Sequence, residues 1–512
     1  MALYTDNQLS GSKIAKNTII LYGRMFLLLL IGLYTSRVIL KVLGEDDFGI
    51  YNVVAGVVSM FTILTQSLST AISRFLTFEI GRNNEEKLKN IFSTALCVQL
   101  ALVVCVLIIA EPIAVWFLNN HLHIPQERMS AANWVLQCVM GIFAVNLLSV
   151  PFNATIIARE RMKTFAFVSL LEGGLKLAIA FLLVFSSFDK LKTYAVLMFC
   201  VDLGVKMMYV IYCKKNFVEC KKFSLKYTPS LLKDIGSFAG WNFIGNSVWV
   251  LNTQGINILT NMFFNVRVNT ARGIAVQVNN AVQQFVNNFT TALNPQITKS
   301  YAMGEYSYMR ALMYKGSKYS YFLMFLFALP LCLETEQVLD IWLHKVPEYA
   351  VIFVRLTFVG AICTVISDSV VRVMYATGKI KRYQIVVGLI GLLDFPLTYL
   401  VFKMGCPPWG AYIIYVLIYF VLIFVRLFLV DKLVAIYPKE YMKQVLLKVL
   451  YISLLSMVLP FMARYFMPQS FFRLVVVVAL SLVSTLGFIY LLGLDKSEKE
   501  FFYKKIKAVL HK

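Results

Sequence analysis

Apolar or weakly polar stretches recur along the whole chain, each long enough to cross the ~30 Å hydrocarbon layer of a bilayer as a helix. They fall at 17–40, 50–72, 91–110, 134–157, 165–186 and 194–213. A second series follows at 236–263, 272–296, 319–336, 349–375, 384–403, 410–430, 446–464 and 472–493. Composition agrees with a chain solvated mainly by lipid: 15% of residues are charged, against about 25% in a soluble domain. The expectation is an all-α polytopic membrane protein with about fourteen spans. The polar start, Met1–Lys16, precedes an apolar run longer than that of a signal peptide, so this run reads as a retained first span.

Two stretches, 236–263 and 272–296, are polar enough to leave their status to charge. The formal net charge is +22, and Lys and Arg sit in short segments between apolar runs, which reads as topology-setting charge and not as a nucleic-acid surface. With fourteen spans and both termini cytoplasmic, the inner segments carry roughly three times as many Lys and Arg as the outer ones, as the positive-inside rule requires. Removing 272–296 would place Lys379–Arg382, Lys432–Lys448 and the Lys-rich tail outside.

A weak internal repeat runs through the chain. Gly49-Ile50 recurs as Gly273-Ile274, Gly81 as Gly304, and Ala158-Arg159-Glu160-Arg161-Met162-Lys163 as Ala376-Thr377-Gly378-Lys379-Ile380-Lys381, at nearly constant offset. The expected organisation is a six-helix lobe over 1–213, a basic cytoplasmic linker over 214–235, a second six-helix lobe over 236–431 in the same orientation, and two further helices with a cytoplasmic tail over 432–512. Parallel repeats of this kind mark transporters, with the substrate site between the halves.

Catalysis finds little support. The longest outer segment, about Glu111–Asn133, is too short for a catalytic domain, and the four His lie near no acid–nucleophile set. No P-loop, metal-ligand spacing or disulfide framework of the nine Cys is legible. No catalytic residue, metal or cofactor is expected beyond a coupling ion, sodium or proton.

An ionisable group at the centre of a span costs at least ~2.5–3.5 kcal/mol, so it usually faces a cavity or a partner. Arg24, a third of the way into the first span, is either a contact for an anionic group such as a diphosphate or a side chain snorkelling to the interface. Glu172/Lys176 and Asp202/Lys206 are spaced by four, on one helix face each. They form either a charged, ion-coupling cluster or two structural pairs. Asn242, Asn246, Thr253, Asn257 and Asn261 form one polar stripe. Gln277, Asn280, Gln284, Asn287, Asn288 and Thr291 form another. Neutral amides suit a sugar-accommodating cavity, whereas gluing helices together is the plainer use. Arg355 and Asp394 are further candidates, Asp368 and Arg372 read as a local ion pair, and Pro151 and Pro396 as kinks.

The chain resembles the polysaccharide-transporter branch of the multidrug/oligosaccharidyl-lipid/polysaccharide exporter superfamily, the O-antigen and capsule repeat-unit flippases. The resemblance rests on Leu43-Gly44-Glu45-Asp46-Asp47-Phe48-Gly49-Ile50-Tyr51-Asn52, Arg74-Phe75, Asn269-Thr270-Ala271-Arg272-Gly273-Ile274-Ala275 and Asn294-Pro295-Gln296 through Gly304. It implies two six-helix lobes around a central cavity and alternating access that carries an undecaprenyl-diphosphate-linked oligosaccharide to the outer leaflet of a bacterial inner membrane. It also implies basic cavity residues, to which Arg24 and Arg272 are similar. Lipid-linked oligosaccharide, membrane lipids and other polysaccharide-assembly proteins are the implied partners. A cation-coupled drug exporter of the same superfamily is the alternative. A glycan polymerase or ligase would need a large outer loop that this chain lacks, and a scaffold leaves Arg24 and the stripes unexplained.

Overall fold

The computed structural model describes residues 2–59, 62–121, 125–221, 228–264, 266–343, 346–495 and 498–500, and every regular element among them is a helix. The first helices are α1 (Ala2–Ser59), α2 (Thr62–Gly81), α3 (Glu85–Cys105), α4 (Glu111–His121), α5 (Gln126–Ala158), α6 (Met162–Leu182), α7 (Lys190–Asn216) and the short α8 (Val218–Lys221). Then come α9 (Pro229–Phe263), α10 (Val266–Ala302), α11 (Tyr306–Leu333), α12 (Thr335–Leu343), α13 (Ala350–Ile366) and α14 (Asp368–Thr377). The last are α15 (Lys381–Leu392), α16 (Asp394–Lys403), α17 (Gly410–Asp431), α18 (Pro438–Tyr441), α19 (Lys448–Phe466) and α20 (Phe471–Phe488).

Among the described residues, 10 helical stretches, from Glu85–Asn120 to Phe471–Gly493, are long and apolar enough to cross a membrane. Helices α1, α2, α9 and α10, each 20 residues or longer, are not among these ten, and the expected span 50–72 is divided between α1, which ends at Ser59, and α2, which begins at Thr62. The chain divides into two compact units, Met1–Asn246 with Thr298–Gly304, and Ser247–Ile297 with Glu305–Lys512.

Local chemistry sets the boundaries in the first unit. Gly44, at φ 81° and ψ 173°, breaks α1 between the first two expected spans, a backbone conformation that costs a residue with a Cβ far more than glycine. Asn84 caps α3 by accepting from Lys87 N at 3.0 Å, with Glu85 and Glu86 in the favourable first turn. The core is apolar side chains of α5 and its neighbours, with Val135, Leu136 and Leu147 fully buried. Phe92 packs edge-on to Phe152 at 5.1 Å. Pro151 sits inside α5 without interrupting it.

Asp189 does two jobs in this unit. It caps α7 by accepting from Leu191 N and Lys192 N at 3.0 and 3.1 Å. It also pairs with Arg128, 2.8 Å away, which holds Asp47 as well. Partial burial works against its charge, but the Lys192 N–H and the Arg128 guanidinium outweigh that and hold the Asp189 carboxyl below its usual range. A depressed folded value stabilises the fold above the unfolded carboxyl's pKa, ~3.9, and the contribution is lost as pH falls through the folded value. Asp189→Ala is therefore expected to cost roughly 0.5–2 kcal/mol at pH 7, a deficit that shrinks below about pH 4. Thermal unfolding in detergent across pH is the check.

In the second unit, two of the expected spans are broken. Ser367 separates α13 from α14, and Leu393 separates α15 from α16, with Pro396 in the first turn of the latter. Proline there leaves the carbonyl four residues back without its helical donor. Asp368 and Arg372 make the pair that their spacing allows, at 3.2 Å. Arg355 donates to Cys332 O at 3.0 Å and pairs with Glu336. The two last helices join through α11: Tyr321 and Ser453 hydroxyls lie 2.7 Å apart, and Arg473 pairs with Glu334 at 2.9 Å. Close packing depends on Gly316, where a Cβ would collide with Leu293 Cδ2 and Ser369 Oγ, both in buried side chains. Gly316→Ala is expected to destabilise by roughly 1–3 kcal/mol, the usual cost of overpacking, seen as a lower Tm without change in helix content.

Candidate functional site

In the first unit, four helices bring charge together at membrane depth. Arg24 lies on α1, Asn146 on α5, Ser169, Glu172 and Lys176 on α6, and Asp202, Lys206 and Tyr209 on α7. Lys176 Nζ lies 2.6 Å from Glu172 Oε1 and 3.5 Å from Asp202 Oδ1, while Lys206 Nζ is 3.8 Å from Glu172 Oε2. Asn146 donates to Asp202 Oδ2 at 3.4 Å. The spacing-of-four pairs are thus knitted across α6 and α7 into one network. Two carboxylates and two ammonium groups cancel, so burying the set costs far less than burying any one of its members.

Arg24 is the surplus charge. Its Nη1 donates to Ser169 Oγ at 3.2 Å, and the guanidinium lies 4.7 Å over the Phe165 ring. Ser169 in turn donates to Phe165 O at 2.6 Å, which fixes the hydroxyl. Nε is buried without a partner, an arrangement that costs about 1–3 kcal/mol. Among the described residues no carboxylate lies within ion-pair distance of Arg24, so its charge remains available to an anion.

The amides of α9 are largely engaged. Asn242 is buried, and Asn246 donates to Ser67 Oγ at 3.0 Å within the first unit. In the second unit, Asn257 Oδ1 accepts from Arg272 Nε at 2.6 Å, and Arg272 Nη2 reaches Thr253 O at 3.3 Å. Its guanidinium lies 5.8 Å from the Tyr412 ring. The hydrogen-bond partners of Arg272 are neutral, and the Asp394 carboxyl of α16 lies close enough to act on its charge. The side chain of Asn261 lies outside the described residues.

Helix α10 is different. Gln277, Asn280, Gln284 and Asn287 recur every three or four residues and are exposed, with Asn288 half-buried beside them. Ala271, Ala275, Val282, Val286 and Leu293 on the other side are buried. Amides left open to hydrocarbon would be unsatisfied, so this face calls for water, a polar solute or a polar partner helix. Ser169 and Asn146, which orient the charged groups, carry no sequence signal of their own. Arg426, not among the candidates read from the sequence, donates from Nη1 to Ser367 Oγ at 2.6 Å at the break before α14.

The profile of the polysaccharide biosynthesis protein family matches residues 14–301, more than half of the chain. The chain belongs to this family. Every charged and amide position described above in α1, α6, α7, α9 and α10 falls inside the match. The chain is 22% identical over 378 residues to EpsK, an uncharacterized membrane protein of Bacillus subtilis (strain 168), covering 72% of this chain and 73% of that one. Among solved structures, it is similar to an outward-facing multidrug resistance MATE family transporter of the MOP superfamily. The TM-score is 0.71 at 13% identity, over 84% of this chain and 97% of that one. A MOP superfamily transporter from Pyrococcus furiosus matches equally, with TM-score 0.71 and 12% identity over 83% and 96%. The fold is that of these transporters.

Proposed function

We propose that the chain carries an undecaprenyl-diphosphate-linked oligosaccharide from the cytoplasmic to the outer leaflet of a bacterial inner membrane by alternating access. The observation that carries this reading is the exposed amide face of α10, Gln277, Asn280, Gln284 and Asn287. Sugars offer many hydroxyls and little charge, and neutral amides donate and accept to such groups without the desolvation cost of ions. Arg24 would take the diphosphate, with Arg272 as a second cation. The Glu172–Lys176–Asp202–Lys206 network is the candidate for ion coupling, sodium or proton. Both termini are assigned to the cytoplasm by the excess of Lys and Arg in the inner segments, and other polysaccharide-assembly proteins are the expected partners.

The fold shared with a multidrug resistance transporter supports a second reading, a cation-coupled drug exporter. Drug pockets are predominantly apolar and aromatic, which fits the α10 face poorly. Deleting the gene separates the readings. Accumulation of the lipid-linked intermediate on the cytoplasmic leaflet, with unchanged sensitivity to cationic drugs, is the expected result. An intermediate that reaches the outer leaflet normally overturns the proposal.

A further inference from the structure

A guanidinium that the proposed transport leaves unused sits in the second unit. Helix α17 turns one apolar face outward, with Leu417, Val421, Phe424 and Phe428 exposed. On the opposite face, within about 40° of arc at 100° per residue, stand Tyr415, Tyr419 and Arg426, all half-buried. These groups point away from lipid, as polar groups at membrane depth must, and remain partly open.

Arg426 is held there by one nitrogen. Its Nη1 donates to Ser367 Oγ, and that hydroxyl donates to Thr364 O at 3.1 Å. Nε is buried without a partner, and Nη2 has none among the described residues. The Nε–Nη2 edge is the side of the fork that grips a carboxylate through two parallel hydrogen bonds. Arg372, on α14 packed beside α17, uses that edge on Asp368, from Nε at 3.4 Å and from Nη2 at 3.2 Å. Asp368 lies close enough to act on Arg426 as well, so two guanidinium groups share one carboxylate and one positive charge is left over. Arg24 in the first unit is built alike: Nη1 on a serine tied to a backbone carbonyl, a ring beside it, and a buried Nε unfilled. The rings differ. Arg24 has Phe165, whereas Arg426 has Tyr419 at 5.9 Å, with Tyr415 packed on Tyr419 at 4.3 Å.

We propose that Arg426 binds the carboxylate of an acidic sugar, a uronic acid, within the transported glycan. The unfilled edge and the uncancelled charge select a two-oxygen anion. The tyrosines select a sugar as its carrier, because they offer ring faces to the apolar side of a sugar and hydroxyls to its polar rim. The inference rests on the flippase reading for the source of the sugar, and it goes further by naming the class of glycan.

The test is saturation-transfer difference NMR on the full-length protein, purified in a detergent that carries no sugar. The probes are methyl glucuronide and methyl glucoside, which differ only in the carboxylate. Glucuronide is expected to bind about ten- to hundred-fold more tightly, the range of a hydrogen bond to a charged group. Arg426→Gln should erase that difference and Arg426→Lys recover part of it. Helix content and Tm should stay near wild type, because Asp368 and Arg372 still neutralise each other. Tyr419→Leu, which leaves every charge in place, should weaken both sugars. The control pair Lys439→Gln/Lys443→Gln, exposed beyond α17, should change neither. Equal binding of the two sugars, a preference that survives Arg426→Gln, or an equal loss in the control pair overturns the proposal. Acetate binding as tightly as glucuronide would make this a site for simple carboxylates and overturn it too. So would displacement of glucuronide by inorganic diphosphate, which would assign Arg426 to the lipid end of the substrate. No step of this assay involves transport. An intermediate that reaches the outer leaflet without the protein therefore defeats the flippase reading, whereas indifference to the carboxylate defeats this inference alone.

Discussion

Arg24→Ala is expected to abolish complementation of the deletion strain at normal membrane levels, with the lipid-linked intermediate trapped on the cytoplasmic leaflet. Arg24 is the one charge of its cluster that the neighbouring carboxylates leave uncancelled. Its fork is fixed by Ser169 and the Phe165 ring, so its removal leaves Glu172, Lys176, Asp202 and Lys206 neutral as a set. Folding should therefore survive. Truncating one partner of a desolvated charge pair typically costs 2–5 kcal/mol or more, about thirty-fold or greater in binding. Arg24→Lys should recover part of this, because a lysine restores the charge without the planar fork or the ring stacking. The check is leaflet sidedness of the intermediate, with protein level and Tm measured alongside. Full rescue by alanine would mean that Arg24 only snorkels to the interface.

The helices were legible because hydrocarbon permits so few alternatives. Apolar runs placed α3, α5, α6, α7 and the spans from α11 onward, and Gly44 marks the break in α1 that the loop at 41–49 requires. Helix α10 was legible only through charge parity, since its polar face masks its apolarity. Side-chain partnership was less accessible. The spacing of Glu172/Lys176 and Asp202/Lys206 fixes which residues share a face of one helix, but the bridge from Lys176 to Asp202 and from Lys206 to Glu172 depends on how α6 and α7 meet. The amide stripes show the same limit. Both have helical period, yet Asn246 and Asn257 are used in packing while Gln277, Asn280 and Gln284 stay open. Periodicity identifies a polar face, and only the packed neighbour decides whether that face is glue or lining. The break at Ser367 left no mark because serine is tolerated within helices, whereas the one at Leu393 is announced by Pro396 three residues later.

The triple variant Gln277→Leu/Asn280→Leu/Gln284→Leu tests that distinction directly. These side chains are exposed, and none of the three is needed to fill the buried side of α10. The variant should therefore insert and fold, with a Tm at or above that of wild type. If the face accommodates a glycan, the variant loses three hydrogen-bonding groups worth about 0.5–1.5 kcal/mol each and adds apolar bulk where hydroxyls must lie. Complementation should then fall to near background, while Arg24-dependent binding of undecaprenyl diphosphate alone is retained. That split would assign the two ends of the substrate to different residues. A variant that complements like wild type would mean that α10 turns this face to a partner helix or to lipid, and the glycan assignment would fail even with the transporter fold intact. A third outcome, lost complementation together with new efflux of an apolar cationic dye, would mean that the amides set substrate class on a scaffold equally able to carry drugs. It would make the α10 face the residue-level difference between the two readings of this fold.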